Sequence, residues 1–310
     1  EGWADGFRWD IAYWEIWNEP DNQFFQPDRS RDPMWSGTPE QYCDLYAVTA
    51  RTLKEAFPSL KVGGYGTSRL HEKYHPFFRG FLDRVRRDRL PLDFLSWHRY
   101  ADDPEEVYLE ARRAEEGLDS IGYTETELIC DEWNYWPRAI PDPEPPRPFA
   151  EGTASIWRRA SFSLASGHGG TSFCVGTMAR LHDTRCRIAT HYDGVPTNFY
   201  CTIFDRYGYP EKQFYAFVMY RELYERRRRL AVSPTTDGLY ALAAGGGDSL
   251  ALLLTSFRAP ADLRLAFRGM PSGATYRCRR YLTDAAHCHA LFEDEPVNLH
   301  DDGLRLALDE

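Results

Sequence analysis

The stretch Tyr13-Trp14-Glu15-Ile16-Trp17 is aromatic and β-branched, and it stops abruptly at Asn18-Glu19-Pro20-Asp21. Residues of this kind suit a strand covered on both faces, as in a parallel sheet. Pro20 has no N–H for a ladder, so the strand is expected to end at Glu19. The chain must therefore fold so that a buried strand presents Asn18 and Glu19 at its carboxyl end. A lone Glu in such a place is ordinarily a loop-edge surface carboxylate. Two further features give it more weight.

A second apolar run, Leu128-Ile129-Cys130, leads straight into Asp131-Glu132-Trp133-Asn134, making Glu132 another strand-end carboxylate. Between the two, residues 20 to 126 alternate three helix-like and two strand-like segments. Glu19 and Glu132 then occupy strands n and n+3 of a parallel α/β fold. In a (β/α)8 TIM-type barrel the carboxyl ends of the strands form the mouth where chemistry is done. Two carboxylates facing each other there match glycoside hydrolysis, one as acid/base at the glycosidic oxygen and one as nucleophile at the anomeric carbon. That geometry expects the carboxyl groups about 5 to 5.5 Å apart.

Trp17-Asn18-Glu19-Pro20-Asp21 resembles the acid/base signature of clan A glycoside hydrolases, whose acid/base ends strand 4 and whose nucleophile ends strand 7. Other segments resemble glycoside hydrolase family 39, the family of β-xylosidases and α-L-iduronidase. They are Lys61-Val62-Gly63-Gly64, the Ser-x-His-x-Tyr of Ser96, His98 and Tyr100, Phe204 to Gly208 with Phe214 to Phe217, and Arg280 to His287. The resemblance implies Glu19 as acid/base, Glu132 as nucleophile, Tyr100 as a partner of the nucleophile, and His98 and Asn18 as contacts to sugar hydroxyls. Asn18 also has a case of its own, since an amide offers a hydroxyl both donor and acceptor. The departure is Asp131-Glu132-Trp133-Asn134, where β-xylosidases of the family more often carry Thr-Glu-Phe-Asn. Trp133 and Trp136 are candidate sugar platforms, with packing at the rim as the alternative.

The activity implied is that of a retaining exo-glycosidase, most like a β-xylosidase, acting on an oligosaccharide or glycoside without a cofactor. An iduronidase-like or arabinosidase-like specificity, or a non-catalytic carbohydrate-binding relative, are the alternatives. Retention of both glutamates speaks against the last.

A net charge of −10 argues against a nucleic-acid partner or an anionic membrane surface. Arg226 to Arg229 is expected to close a helix, where cations suit the dipole. Seven cysteines at scattered positions suggest neither a disulfide framework nor a zinc framework. His182, Asp183, Cys186 and His191 have poor zinc spacing, so no metal site is expected. No run of 18 apolar residues exists to span a membrane. The start at Glu1, without Met or a signal pattern, decides little about export, and location and a homo-oligomeric state stay open.

The coarse plan is a barrel portion over 1–230 and a small antiparallel β-sandwich over 231–310. Helices are expected from Thr38, over 74–89, over 104–118 and from Gly152 to Ser166. Strands are expected at Leu60 to Tyr65, Leu92 to His98, Thr124 to Glu132 and Thr171 to Val175. Phe24, Phe25 and Trp35 sit in a polar loop as further candidate sugar contacts. Residues 135–149 form a proline-rich loop expected to cover one side of the cleft, and Met178 to Tyr209 read as a flap or an inserted subdomain. Beyond Leu230, alternating runs at Leu239 to Ala243, Leu250 to Ser256, Leu263 to Phe267, Thr275 to Leu282 and Leu304 to Leu308 are punctuated by Gly, Pro and Asp. Only 18 residues precede Glu19, whereas three further βα units would need roughly 30 each. The expectation is that this chain carries strands 4 to 8 of a longer enzyme.

Overall fold

The computed structural model describes residues 6, 9–22, 34–70, 76–138, 160, 162–197, 202–234, 236–258, 261–270, 274–298 and 304–308. The chain forms two compact units. The first is built on a five-stranded sheet in sequential order: β1 (Tyr13–Glu15), β2 (Lys61–Thr67), β3 (Phe94–Ala101), β4 (Glu127–Tyr135) and β5 (Cys186–His191). The pairs β1–β2, β2–β3 and β4–β5 run parallel. Helices α1 (Pro39–Ala56), α2 (Pro76–Asp88) and α3 (Pro104–Ser120) connect the first four strands. Strand, helix and strand in alternation is the organisation of part of a (β/α) barrel.

Helix α1 starts where its chemistry dictates. Thr38 Oγ1 accepts from the Gln41 N–H at 3.2 Å, Gln41 Oε1 accepts from the Thr38 N–H at 2.8 Å, and Pro39 takes the first helical position. It buries Tyr42, Cys43, Tyr46, Ala47 and Ala50, while Phe57 is exposed at the cap. The core beneath is aromatic: Tyr42 and Tyr46 pack with Tyr65, Phe77 and Phe81. Strand β2 fits between its neighbours because Gly63 has no side chain. A Cβ there would lie 2.1 Å from the Phe94 carbonyl oxygen.

Strand β1 departs from expectation. It ends at Glu15 rather than Glu19, and it is not covered on both faces: Ile11, Trp14 and Trp17 are exposed. It lies at the sheet edge, with β2 as its partner among the described residues.

A second correction concerns Thr171 to Val175, expected as a strand. These residues lie inside helix α4 (His168–Leu181), and β5 supplies the fifth parallel strand further on. Nearly every residue of α4 from Gly170 to Leu181 is buried, so no polar stripe betrays its helical period. A short apolar run bounded by glycines reads the same for a buried helix as for a buried strand. The expected segment Met178 to Tyr209 therefore holds the end of α4 and all of β5. Of the helix expected over Gly152 to Ser166, residues 160 and 162–165 are helical. The proline-rich loop from 139 onward, and Phe24 and Phe25, lie outside the described residues.

The second unit contains α4, α5 (Phe214–Arg226) and three antiparallel sheets. These are β6 (Arg228–Leu230) with β7 (Leu239–Gly246) and β8 (Ser249–Ser256), then β9 (Ala261–Leu265) with β12 (Leu304–Leu308), and β10 (Thr275–Leu282) with β11 (Ala290–Asn298). The four arginines divide. Arg226 ends α5, Arg227 turns the chain with a φ of 63°, and Arg228 and Arg229 enter β6. Strand β11 was not foreseen, because Glu293, Asp294 and Glu295 obscure its pattern. Two of them pair across the ladder, Asp294 with Arg277 and Glu293 with Arg280.

Candidate active site

Glu19 is placed by a bent connection rather than by the strand itself. Past β1 the backbone stays tied to β2, with Ile16 N donating to Gly63 O at 3.0 Å and Glu19 N to Gly66 O at 2.9 Å. Trp17 and Glu19 both take positive φ, 73° and 44°, a costly conformation for non-glycine residues that local structure has to hold. The anchor is Asp21, fully buried, whose carboxyl accepts from the Ser68 N–H at 3.0 Å and from Thr67 Oγ1 at the end of β2. Asn22, also buried, donates from Nδ2 to Glu19 Oε2.

Strand β3 contributes by simple alternation. Ser96, His98 and Tyr100 share one face, while Leu95 and Trp97 lie on the other, buried. Tyr100 Oη donates to Glu132 Oε1 at 2.5 Å. His98, 1% exposed, has its Nδ1 at 2.8 Å from Glu19 Oε1 and 3.6 Å from Glu132 Oε2, while Nε2 lies 3.5 Å from Asp131 Oδ2. An oxygen of Glu19, an oxygen of Glu132 and a nitrogen of His98 lie within 4.8 Å of one another.

Asp131 and Glu132 are consecutive, yet both reach His98. Strict alternation would send them to opposite faces. The β4–β5 register slips between Cys130 and Trp133, an irregularity of the kind that re-aims side chains next to active sites.

The electrostatics follow from this crowding. Burial alone would drive His98 toward neutrality, but its bonds to Asp131 and Glu19 and the charges of Asp131 and Glu132 outweigh it and push its pKa up to about 10. Burial holds the Glu132 carboxyl above its ordinary range, with the Glu19 and Asp131 charges adding to the rise and His98 and Tyr100 opposing it. Burial likewise raises Asp21 to about 6. Glu19, His98 and Glu132 are near enough together to offer a cation one ligand atom each.

The other expected residues fare differently. Asn18 is exposed on the turn before Glu19. Trp133, a candidate platform, is 1% exposed and stands edge-on to His191 at 5.2 Å, a core residue with no ring face free for a sugar. Trp136 is half-buried, its N–H bonded to Ala101 O at 2.7 Å. Trp35 packs against Trp17 and Tyr42 and bonds Thr38 O, as a loop anchor would. Asn22 and Asp131 were missed as members of the site.

The five-stranded sheet and the turn that follows β1 thus bring Glu19 and Glu132 together beside His98. Residues 6–119 match the family model described as glycosyl hydrolases family 39. A β-xylosidase of Caldicellulosiruptor saccharolyticus is 31% identical over 111 residues, covering 33% of this chain and 20% of that protein. One of Geobacillus stearothermophilus is 34% identical over 86 residues, covering 28% and 15%. Over residues 6–119 the chain is similar to family 39, and its matches span a fifth or less of these two relatives. Among solved structures, a glucosidase from Croceicoccus marinus aligns with a TM-score of 0.69 at 24% identity, covering 99% of this chain and 68% of that one. A family 51 α-L-arabinofuranosidase from Bifidobacterium longum aligns at 0.59 and 19% identity, covering 96% and 65%. Both show a shared fold.

Proposed function

We propose that the protein is a retaining glycosidase, most like a β-xylosidase, in which Glu132 is the nucleophile and Glu19 the acid/base. The observation that carries this reading is the approach of the two carboxylates to within 4.8 Å, oxygen to oxygen, around His98. That is closer to the roughly 5 to 5.5 Å of double displacement than to the 6.5–9.5 Å that leaves room for an attacking water. Glu132 attacks the anomeric carbon while Glu19 gives its proton to the departing oxygen. Glu19, now a carboxylate, then takes a proton from the water that releases the sugar from Glu132. Tyr100 orients the nucleophile and His98 and Asn22 orient the acid/base. Asn18, on the turn, contacts a sugar hydroxyl.

The β-xylosidase names of the two family relatives favour a xyloside as substrate. We assign the catalytic work to the barrel portion, residues 1–230, and read the antiparallel sheets beyond as a sandwich domain with no chemistry of its own. The test is a panel of nitrophenyl glycosides, with xylosides, arabinofuranosides, glucosides and iduronides compared by kcat/KM. Preference for β-xyloside supports the reading. Binding of sugars with no turnover of any glycoside would sink it in favour of a carbohydrate-binding role.

A further inference from the structure

The hydrogen bond from Tyr100 to Glu132 joins β3 to β4 near the point where both strands finish. Beyond it the two segments stay tied. Trp136 N donates to Ala101 O at 2.7 Å. Pro137 has no N–H to offer. The next amide, Arg138 N, donates at 2.9 Å to a side chain, Asp102 Oδ1. Asp102 lies in the bend between β3 and α3, and only 9% of its side chain is exposed. Its Oδ1 also pairs with Arg258 Nη2, and its Oδ2 stands 3.7 Å from Arg138 Nε. Arg258 follows β8 and is itself held. Its guanidinium lies over the Phe257 ring, 4.8 Å from the centroid, and Phe257 meets Tyr135, the last residue of β4, edge-on at 6.0 Å.

Burying a carboxylate is costly unless donors and opposite charges compensate it, and Asp102 has a main-chain donor and two guanidinium groups. Exposed ion pairs between long side chains contribute little, but a buried acceptor for a main-chain N–H fixes the course of the backbone. We propose that Asp102 is a positioning residue for Glu132. By holding the Arg138 amide where β4 has run out, it keeps the ends of β3 and β4 together and so keeps Tyr100 against the Glu132 carboxylate. Tyr100 is two residues before Asp102, so movement of the bend is passed to it along the strand. Hydroxyl bonds weaken beyond roughly 3 Å, and a displacement of about an ångström is therefore enough to matter. Asp102 acts through Tyr100 and is given no contact with substrate. That Glu132 is the nucleophile is the one part that rests on the proposed glycosidase reading. The charge of Asp102 makes the idea separable from a field effect. Losing a negative charge lowers the pKa of a nearby carboxyl, whereas losing the Tyr100 donor raises that of Glu132.

The experiment is NMR without substrate on wild type, Asp102→Ala, Tyr100→Phe and the double variant. It reads amide exchange at Trp136 and Arg138 and the titration of the 13C-labelled Glu132 carboxyl, assigned by its loss in Glu132→Gln. Asp102→Ala should speed exchange of both amides on the order of tenfold. It should also raise the Glu132 midpoint by up to about one unit, the rise expected when the Tyr100 donor is lost altogether. In Tyr100→Phe the same substitution should add no further rise, because the two act through one bond. Unchanged exchange at both amides, a midpoint that stays or falls in Asp102→Ala, or an additive rise in the double variant would overturn the proposal. If Asp102→Ala loses its cooperative melt, Arg258→Met tests the same link from a half-exposed side chain. Faster exchange at Trp136 and Arg138 then supports the proposal and unchanged exchange overturns it. No turnover enters either readout, so the proposal can fail while the glycosidase reading stands, and the reverse.

Discussion

Replacing Tyr100 by Phe removes only the hydroxyl that donates to Glu132 Oε1 over 2.5 Å. A hydrogen bond to a charged group contributes about 1.5–3 kcal/mol, and its loss falls on the ionised form of Glu132. The Glu132 side chain is 23% exposed, so water can partly replace the lost donor and the lower end of that range applies. About 1.5 kcal/mol corresponds to about one pH unit. Burial already holds this carboxyl above its ordinary range, and losing the donor raises it further. The nucleophile has to be ionised, so the acidic limb of kcat/KM should move to higher pH by about one unit, with a smaller loss on the plateau. Glu19 sits beside it, so the limb reports the carboxyl pair rather than one residue. The assay is the pH profile of kcat/KM on an aryl glycoside for wild type and Tyr100→Phe. A uniform fall in rate with the limb unmoved would refute the assignment of Tyr100 as the partner of an ionised nucleophile.

Further outcomes follow from the same geometry. Glu19→Ala should lose turnover of substrates with poor leaving groups, keep much of it on activated aryl glycosides, and regain rate with azide, which needs no base; rescue of the Glu132 variant instead, with inverted product, would swap the two roles. Trp133→Ala should cost about 3–5 kcal/mol as a core truncation and lower the melting temperature while the surviving enzyme keeps its KM; a raised KM at unchanged melting would restore it as a sugar platform.

Much of the site could be read from residue order because its main pieces follow apolar runs in or just past strands. Glu19 and Glu132 each follow an apolar run, and His98 and Tyr100 follow the alternation of β3, a period visible in any strand with one chemical face. What escaped depends on contacts between distant segments. Asp131 reaches His98 only because β4 slips its register, which no local pattern announces. Asn22 matters because Asp21 pins the turn to β2, a bond across 47 residues of sequence. The helix α4 was misread because burial on all sides erases the stripe that marks a helix. Trp133 stayed open between platform and packing because an aromatic beside a candidate catalytic residue looks the same in sequence whether its ring faces substrate or core.

The central claim is that Glu132 forms a covalent bond to the sugar. Incubating the protein with an activated 2-deoxy-2-fluoro glycoside slows release more than attack, so the intermediate accumulates and can be located by peptide mass spectrometry. The account predicts one sugar per chain on the peptide that contains Glu132, at Glu132 itself, with loss of activity in step with labelling. A label on Glu19, or no label from a substrate that is otherwise turned over with inversion, would contradict it.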